Sequence, residues 1–346
     1  MIDALCKEIK LQKNYLDGEP INTIYFGGGT PSLLEQGQIA TLLGTIHDHY
    51  AVASDTEVTL EANPDDLSYD KLKSLHQAGV NRLSIGIQTF NEQSLIYLNR
   101  AHNQRQAYEC LHNAREVGFS NISIDLIYAI PASGHDIWIA DLEEALKIHP
   151  EHISSYCLTI EPQTAFGQWL KKGNMPPIDE EFSAQQFEIL MQTLDQAGYE
   201  QYEVSNFCLP GFYSRHNSGY WQQKKYLGIG PSAHSYNGVM RQYNISNNPK
   251  YLRQIATGEV PYESDILDVN DMINEYLLTT LRTKWGADLS RIKESWDYDL
   301  QSDQQLYINQ LMNKKYAVVE DGHLRLTRAG LLLADQISSD LFVINI

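Results

Sequence analysis

The chain is poor in cations. Among its 346 residues, 26 Lys and Arg stand against 44 Asp and Glu, a formal net charge of −18. A general nucleic-acid or anionic-membrane surface needs clustered positive charge, so no nucleic-acid partner is expected. No apolar run reaches about 18 residues, which excludes an integral helical membrane span. Met1 to Lys10 mixes acidic and basic side chains in a helical pattern, unlike a signal peptide, and a cytoplasmic location is expected. Cysteine is scarce as well. Cys6, Cys110, Cys157 and Cys208 stand far apart, and no pair has the spacing of a zinc or iron–sulfur site. Each reads first as a small buried hydrophobe, so no metal-ligand set is expected from this chain.

What remains is ordinary in bulk and specific in detail. Apolar residues make up 42% and charged residues 20%, the balance of a soluble globular protein, and the length suits one large domain with a small one. The most informative stretch is Ile24-Tyr25-Phe26-Gly27-Gly28-Gly29-Thr30-Pro31. A β-rich run opens into three glycines, which admit positive φ and let a ligand approach the backbone closely. Pro31 holds Thr30 extended and prevents a helix from starting at the glycines. Phosphate-cradling loops need Gly-x-Gly-x-x-Gly or a terminal Gly-Lys-Ser/Thr, and neither is present here. A plain strand-to-loop turn is the alternative.

Apolar β-rich runs recur at Thr23–Phe26, Glu57–Leu60, Arg82–Ile87, Asn121–Ile127 and His152–Leu158. Helical periodicity fills the gaps at Glu35–His49, Tyr69–Ala78, Asn103–Val117 and Asp136–Ile148. This is the rhythm of βα units, with strands nearly continuous in apolar residues as in a parallel sheet buried on both faces. The expected fold class is α/β, an incomplete (β/α) barrel of five parallel strands. In such barrels, polar residues just past the strand ends face the ligand mouth. Here they are Gly27–Thr30, Glu61 with Asn63-Pro64, Gln88, Asp125 and Thr159. Taken singly, Glu61 or Asp125 also reads as a helix cap or a structural ion pair.

Residues 209–250 are rich in Gly, Asn, Ser and Tyr and read as ordered loops. From about Asp268, helices are expected at Met272–Thr283, Leu289–Ser295 and Gln304–Lys315. A hairpin follows, with strands Tyr316–Val319 and His323–Thr327 around Asp321-Gly322, and a last helix runs from Ala329 to about Leu341. That outline is winged-helix-like, but without a dense basic helix it reads as a packing or lid module. The expected divisions are 1–208, 209–267 and 268–346.

Five motifs occur in order: Gly27-Gly28-Gly29-Thr30-Pro31, Glu61-Ala62-Asn63-Pro64, Arg82 through Phe90, Asn99-Arg100 and Ile124-Asp125-Leu126-Ile127-Tyr128. Together they resemble the radical S-adenosylmethionine branch that contains oxygen-independent coproporphyrinogen III dehydrogenase. Two further stretches, His216-Asn217-Ser218-Gly219-Tyr220-Trp221 and Gly228-Ile229-Gly230-Pro231-Ser232-Ala233-His234-Ser235, resemble the HemW haem-chaperone subgroup. The family's Cys-x-x-x-Cys-x-x-Cys motif, which holds a [4Fe–4S] cluster, is absent, as is the first barrel strand. The resemblance therefore implies an N-terminal truncation, or else a cluster-less relative, with an open parallel edge that a neighbour's strand, a crystal contact or a rearranged N-terminal segment would cover.

The resemblance also implies a site. Gly28, Gly29 and Thr30 would hold the methionine end of S-adenosylmethionine, and Arg100 its carboxylate. Glu61, Gln88 and Asp125 would meet the ribose and amino group, and Thr159 and His234 the adenine side. Without a bound ligand, Arg100 is expected to pair with a carboxylate. His216 is the expected haem ligand, with Asn217, Tyr220 and Trp221 beside it and His234 or Cys208 as alternatives. The implied function is a haem chaperone serving haem-receiving proteins, with the [4Fe–4S] cluster only in a full-length form. The alternatives are a coproporphyrinogen III oxidase and a non-catalytic ligand-binding barrel.

Overall fold

The computed structural model describes residues 1–173 and 177–344. Strands β1 (Ile21–Phe26), β2 (Val52–Ala62), β3 (Arg82–Gln88), β4 (Ile122–Tyr128) and β5 (His152–Cys157) pair in chain order, all parallel. Two antiparallel strands, β6 (Glu200–Glu203) and β7 (Asn206–Cys208), extend the sheet to seven, in the order β1-β2-β3-β4-β5-β7-β6. The result is an open half-barrel, and the five parallel strands lie where the sequence rhythm places them. Helices α1 (Ile2–Leu11), α2 (Gln36–His49), α3 (Tyr69–Gln77), α4 (Glu92–Tyr97), α5 (Gln104–Val117), α6 (Asp136–Ile148), α7 (Ala165–Lys171) and α8 (Glu180–Gln196) precede, link or follow them.

Successive side chains on a strand face opposite ways, and here the two faces differ in kind. One face carries Ile24, Val58, Leu60, Leu83, Ile85, Ile87, Ile122, Ile124, Leu126 and Ile153, all in the buried hydrocarbon core. Leu72 and Leu75 of α3, Leu111 of α5, Leu142 of α6 and Leu190 and Leu194 of α8 pack against that face. Burying each such side chain contributes roughly 1.5–3 kcal/mol. The other face carries Thr23, Tyr25, Glu57, Thr59, Glu61, Arg82, Ser84, Ser123, Asp125, His152 and Ser154. The reading of strands apolar throughout is thus corrected: both faces are largely enclosed, but the inner one is polar.

The segment expected to be ordered loops holds real elements. Helix α9 (Arg215–Trp221) lies against β1, and β8 (His234–Tyr236), β9 (Met240–Asn244) and β10 (Tyr262–Ile266) form an antiparallel sheet in the order β10-β9-β8. Helix α10 (Asn248–Thr257) lies between β9 and β10 in the chain. Beyond it, α11 (Val269–Thr280), α12 (Leu289–Trp296) and α14 (Gln305–Asn313), with the short α13 (Leu300–Asp303) between the last two, enclose a second core. Strands β11 (Ala287–Asp288), β12 (Ala317–Glu320) and β13 (His323–Leu326) supply the wing. Asp321 and Gly322 sit at φ 51° and 75°, as the tight hairpin demands. The single last helix expected is instead two, α15 (Arg328–Leu331) and α16 (Ala334–Asp340).

One carboxylate ties the N-terminal helix to the far half of the chain. Glu8 of α1 is fully buried and accepts from the Gly230 N–H at 2.8 Å, the Asn244 amide at 2.6 Å, Gln12 at 3.1 Å and the Tyr251 hydroxyl. Burial pushes its pKa up while these donors pull it down. Replacing Glu8 with Ala strands three donors from the 230–251 region, so a loss of about 3 kcal/mol is expected in urea unfolding. An unchanged midpoint would show that water replaces the carboxylate without cost.

Candidate functional site

The glycine loop follows β1 at the open end of the half-barrel. Gly28 and Gly29 adopt φ 71° and 64°, with open space where a Cβ would stand. Gly27 is glycine for another reason: a Cβ there would lie 2.5 Å from the Tyr25 ring and 3.1 Å from Glu61 Oε1. The Tyr25 hydroxyl donates to Glu61 Oε1 at 2.6 Å and the Gly28 N–H donates to Oε2 at 3.2 Å. Glu61 therefore fixes the loop. Thr30 leads into the short turn Pro31–Leu33 beside these glycines.

At the end of β3, Gln88 is held at φ 68°, a left-handed conformation that costs a non-glycine residue energy. A Cβ on Gly86 would lie 2.8 Å from Gln88 Nε2 and 3.5 Å from Arg100 Nη2, which places these two side chains together. Arg100 follows α4, and its Nη2 donates to the Asn63 side-chain oxygen at 2.7 Å. The expectation of a carboxylate partner is corrected. An amide holds Arg100; among the described residues its buried Nε has no acceptor, and Asp65 and Asp125 act on it through their fields. Burial pulls the guanidinium pKa down, the cost of keeping donors ready.

Asp125 of β4 completes this mouth. Burial pushes its carboxyl up to about 6, while Ser154, Arg82 and Ser84 pull the other way and Glu61 adds to the rise. Ser84 Oγ lies 3.4 Å from it. Thr159, just past β5, is exposed. Asn63 is one of the polar strand-end residues read from the sequence, whereas Gly86, Ser84 and Ser154 belong to the site but were not singled out there. The period-two alternation of the strands was the signal that could have found them.

Along the free edge of β1, a cavity of about 1320 Å³ runs between α1, α2 and α9 and reaches Gly27, Gly28 and Thr30. His216 stacks on Tyr25 with ring centroids 4.4 Å apart. Its Nδ1 lies 3.2 Å from Thr23 Oγ1 and its Nε2 lies 3.1 Å from the Tyr220 hydroxyl. Burial and the Arg82 charge pull its pKa down to about 4, so the imidazole is neutral. The Asn217 N–H is bound to Ser214 Oγ, the N-cap of α9. Trp221 has a buried Nε1 with no partner among the described residues and packs under the Arg282 guanidinium. His234 also lines the cavity, sits tilted against the Tyr243 ring with centroids 5.8 Å apart, and makes no ring hydrogen bond among the described residues. Cys208 is fully buried in β7 with its thiol pushed up to about 12, which removes it as a ligand to this space.

Comparison with known proteins gives this geometry its setting. Residues 6–142 match the radical SAM superfamily and residues 267–333 the HemN C-terminal domain. The heme chaperone HemW of Bacillus subtilis is 36% identical over 325 residues, covering 92% of this chain and 85% of that protein. HemW of Lactococcus lactis is 33% identical over 336 residues, covering 97% and 88%. The chain belongs to the HemW family. Escherichia coli coproporphyrinogen III oxidase (HemN), described as a radical SAM enzyme, superposes with a TM-score of 0.83 at 24% identity, covering 99% of this chain and 82% of its own. The likeness to HemN is one of fold.

The fold implies an iron–sulfur cluster, but the residues present do not fit one. Cys6 lies on α1, Cys110 within α5, Cys157 at the end of β5 and Cys208 in β7. Among the described residues, no three His, Cys, Asp or Glu side chains come together as a metal site. The mouth, in contrast, fits a polar cofactor: donors on Arg100, acceptors on Glu61 and Asp125, and glycines with open space beside them.

Asp125 makes the mouth's electrostatics measurable. Its folded pKa of about 6 exceeds the ordinary 3.8, so the native state binds its proton more tightly than the unfolded chain. Stability is therefore lost as pH rises through that window and levels off above it. In Asp125→Asn this term is absent. Denaturant unfolding should show the variant gaining on the parent, by up to about 3 kcal/mol, between pH 4 and 7. Parallel curves would mean that Asp125 ionises without penalty.

Proposed function

We propose that this protein is a haem chaperone of the HemW kind whose barrel mouth binds S-adenosylmethionine. The observation that carries the reading is the placement of His216-Asn217-Ser218-Gly219-Tyr220-Trp221 on α9, against β1 and beside a cavity with two histidines. The divisions 1–208, 209–267 and 268–346 then separate the barrel, the haem-side segment and the winged module. Among the described residues no helix is long and apolar enough to cross a membrane, and we place the protein in the cytoplasm, delivering haem to recipient proteins.

At the mouth, the Gly27–Gly29 backbone and Thr30 take the methionine end of the cofactor, and Arg100 its carboxylate. Glu61, Gln88 and Asp125 take the amino group and ribose hydroxyls, while Thr159 and His234 border the adenine side. S-adenosylmethionine supplies radical chemistry only when a cluster can reduce it. These residues hold no such cluster, so iron–sulfide reconstitution of this chain should yield no 5′-deoxyadenosine. Arg100→Ala should weaken S-adenosylmethionine binding by about 2–3 kcal/mol in calorimetry, the range for a charged hydrogen bond. Equal affinity in both proteins would remove Arg100 from the site.

Haem binding asks for a neutral imidazole, which His216 offers at any pH above about 4. Its Nε2 is engaged by Tyr220, so coordination requires that hydroxyl to turn away, whereas His234 is unencumbered. A Soret band on haem titration should shift in His216→Ala, and persist down to pH 5 in the parent. A band altered only in His234→Ala would move the ligand there. A band unaltered in either variant would sink the haem reading of this cavity. Oxidation of coproporphyrinogen III is the second reading, favoured by the HemN-like fold, and product analysis with that substrate separates it.

A further inference from the structure

Below the mouth, on the polar face of the half-barrel, two side chains lack partners. Arg82 opens β3, is 2% exposed, and makes no ion pair and no side-chain hydrogen bond among the described residues; its Nε is buried and orphaned. Thr59, its neighbour in the β2–β3 register, is fully buried with an orphaned Oγ1. The charge of Arg82 is felt by Tyr25, Asp125, His152, Tyr202 and His216.

A buried guanidinium without acceptors is costly, yet every nearby carboxylate is engaged elsewhere. Glu57 accepts the Arg215 and His216 N–H groups at 3.2 and 3.1 Å. Glu61 serves Tyr25 and Gly28, and Asp125 serves Ser84 and Ser154. Glu203 is taken by Arg282, Ser205 and Asn206. His152 lies between Ser123 Oγ at 2.7 Å and the Tyr202 hydroxyl at 2.7 Å, and burial keeps it neutral. The donors of Arg82 are thus left for something other than a protein side chain.

We propose that Arg82 and Thr59 form a carboxylate-binding site in the lumen of the half-barrel, beneath the mouth and separate from Arg100. A planar guanidinium matches the two oxygens of a carboxylate in bidentate fashion, and the Thr59 hydroxyl adds a third donor. A doubly charged oxyanion is disfavoured by Glu61 and Asp125 nearby, and a spherical halide uses fewer of the donors. The site takes a small monocarboxylate, or the carboxylate arm of a ligand that enters from the mouth.

Formate is the probe. The purified chain is titrated with sodium formate at constant ionic strength, with sodium chloride replacing it in a control, and the melting temperature is followed. A saturable rise is expected in the parent, with the midpoint concentration at least tenfold higher in Arg82→Gln and about threefold higher in Thr59→Val. Equal midpoints in the parent, Arg82→Gln and Thr59→Val overturn the proposal. A chloride curve that reproduces the formate curve means an adventitious ion only and also overturns it. Should Arg82→Gln fail to fold, Thr59→Val decides, and an unmoved midpoint there is fatal.

Discussion

The constraint on which the rest depends is the two-residue period of the parallel strands. Each strand places an aliphatic side chain toward the helices and a polar one toward the lumen, so one register fixes both the core and the site. A slip of one residue in β3 would bury Arg82 and Ser84 under the helices and turn Leu83 and Ile85 into the lumen. The free energy that holds Glu61, Asp125 and Arg82 in place is therefore hydrophobic and comes from the opposite face. Polar groups in the lumen need not contribute stability, and several plainly oppose it.

That opposition is concentrated at the mouth. Gln88 sits in a left-handed conformation, Arg100 keeps a buried Nε without an acceptor, and Asp125 is titrated upward by its surroundings. Each is a cost borne by a scaffold rigid enough to impose it. Asn63 shows how the arrangement is kept open. As a neutral partner it orients Arg100 without neutralising it, whereas a carboxylate there would compete with an anionic ligand. Gly86 adds to this, since a Cβ there would oblige the Gln88 amide to shift and would touch Arg100.

How much of this was legible in the sequence follows from the same physics. The five parallel strands and the helices after them were readable because repeated burial leaves a repeated pattern, and the Asp321-Gly322 hairpin because its turn requires positive φ at both residues. Helix α8 also carries an apolar stripe, Phe187, Leu190, Met191 and Leu194, and could have been read. Strands β9 and β10 could not. Met240-Arg241-Gln242-Tyr243-Asn244 and Tyr262-Glu263-Ser264-Asp265-Ile266 carry no consistent apolar face, and β10 is exposed throughout. At the site, residues past the strand ends were visible as polar breaks in apolar runs. The amide partner of Arg100 was not, because pairing depends on a distance across two loops.

One face of β1 connects the two proposed ligands. Tyr25 donates to Glu61 on the mouth side and stacks on His216, so one aromatic ring joins the loop that would hold the cofactor to the imidazole that would meet haem. Moving the Tyr25 ring to admit a ligand at either side alters the other, because its hydroxyl and its face cannot both be released without exposing Glu61 Oε1. Thr23, one step down the same strand, repeats the link through its hydroxyl to His216 Nδ1. Strand β1 is thus a shared wall, and its position at the open edge of the sheet, paired on one side only, gives it the freedom to transmit such a change.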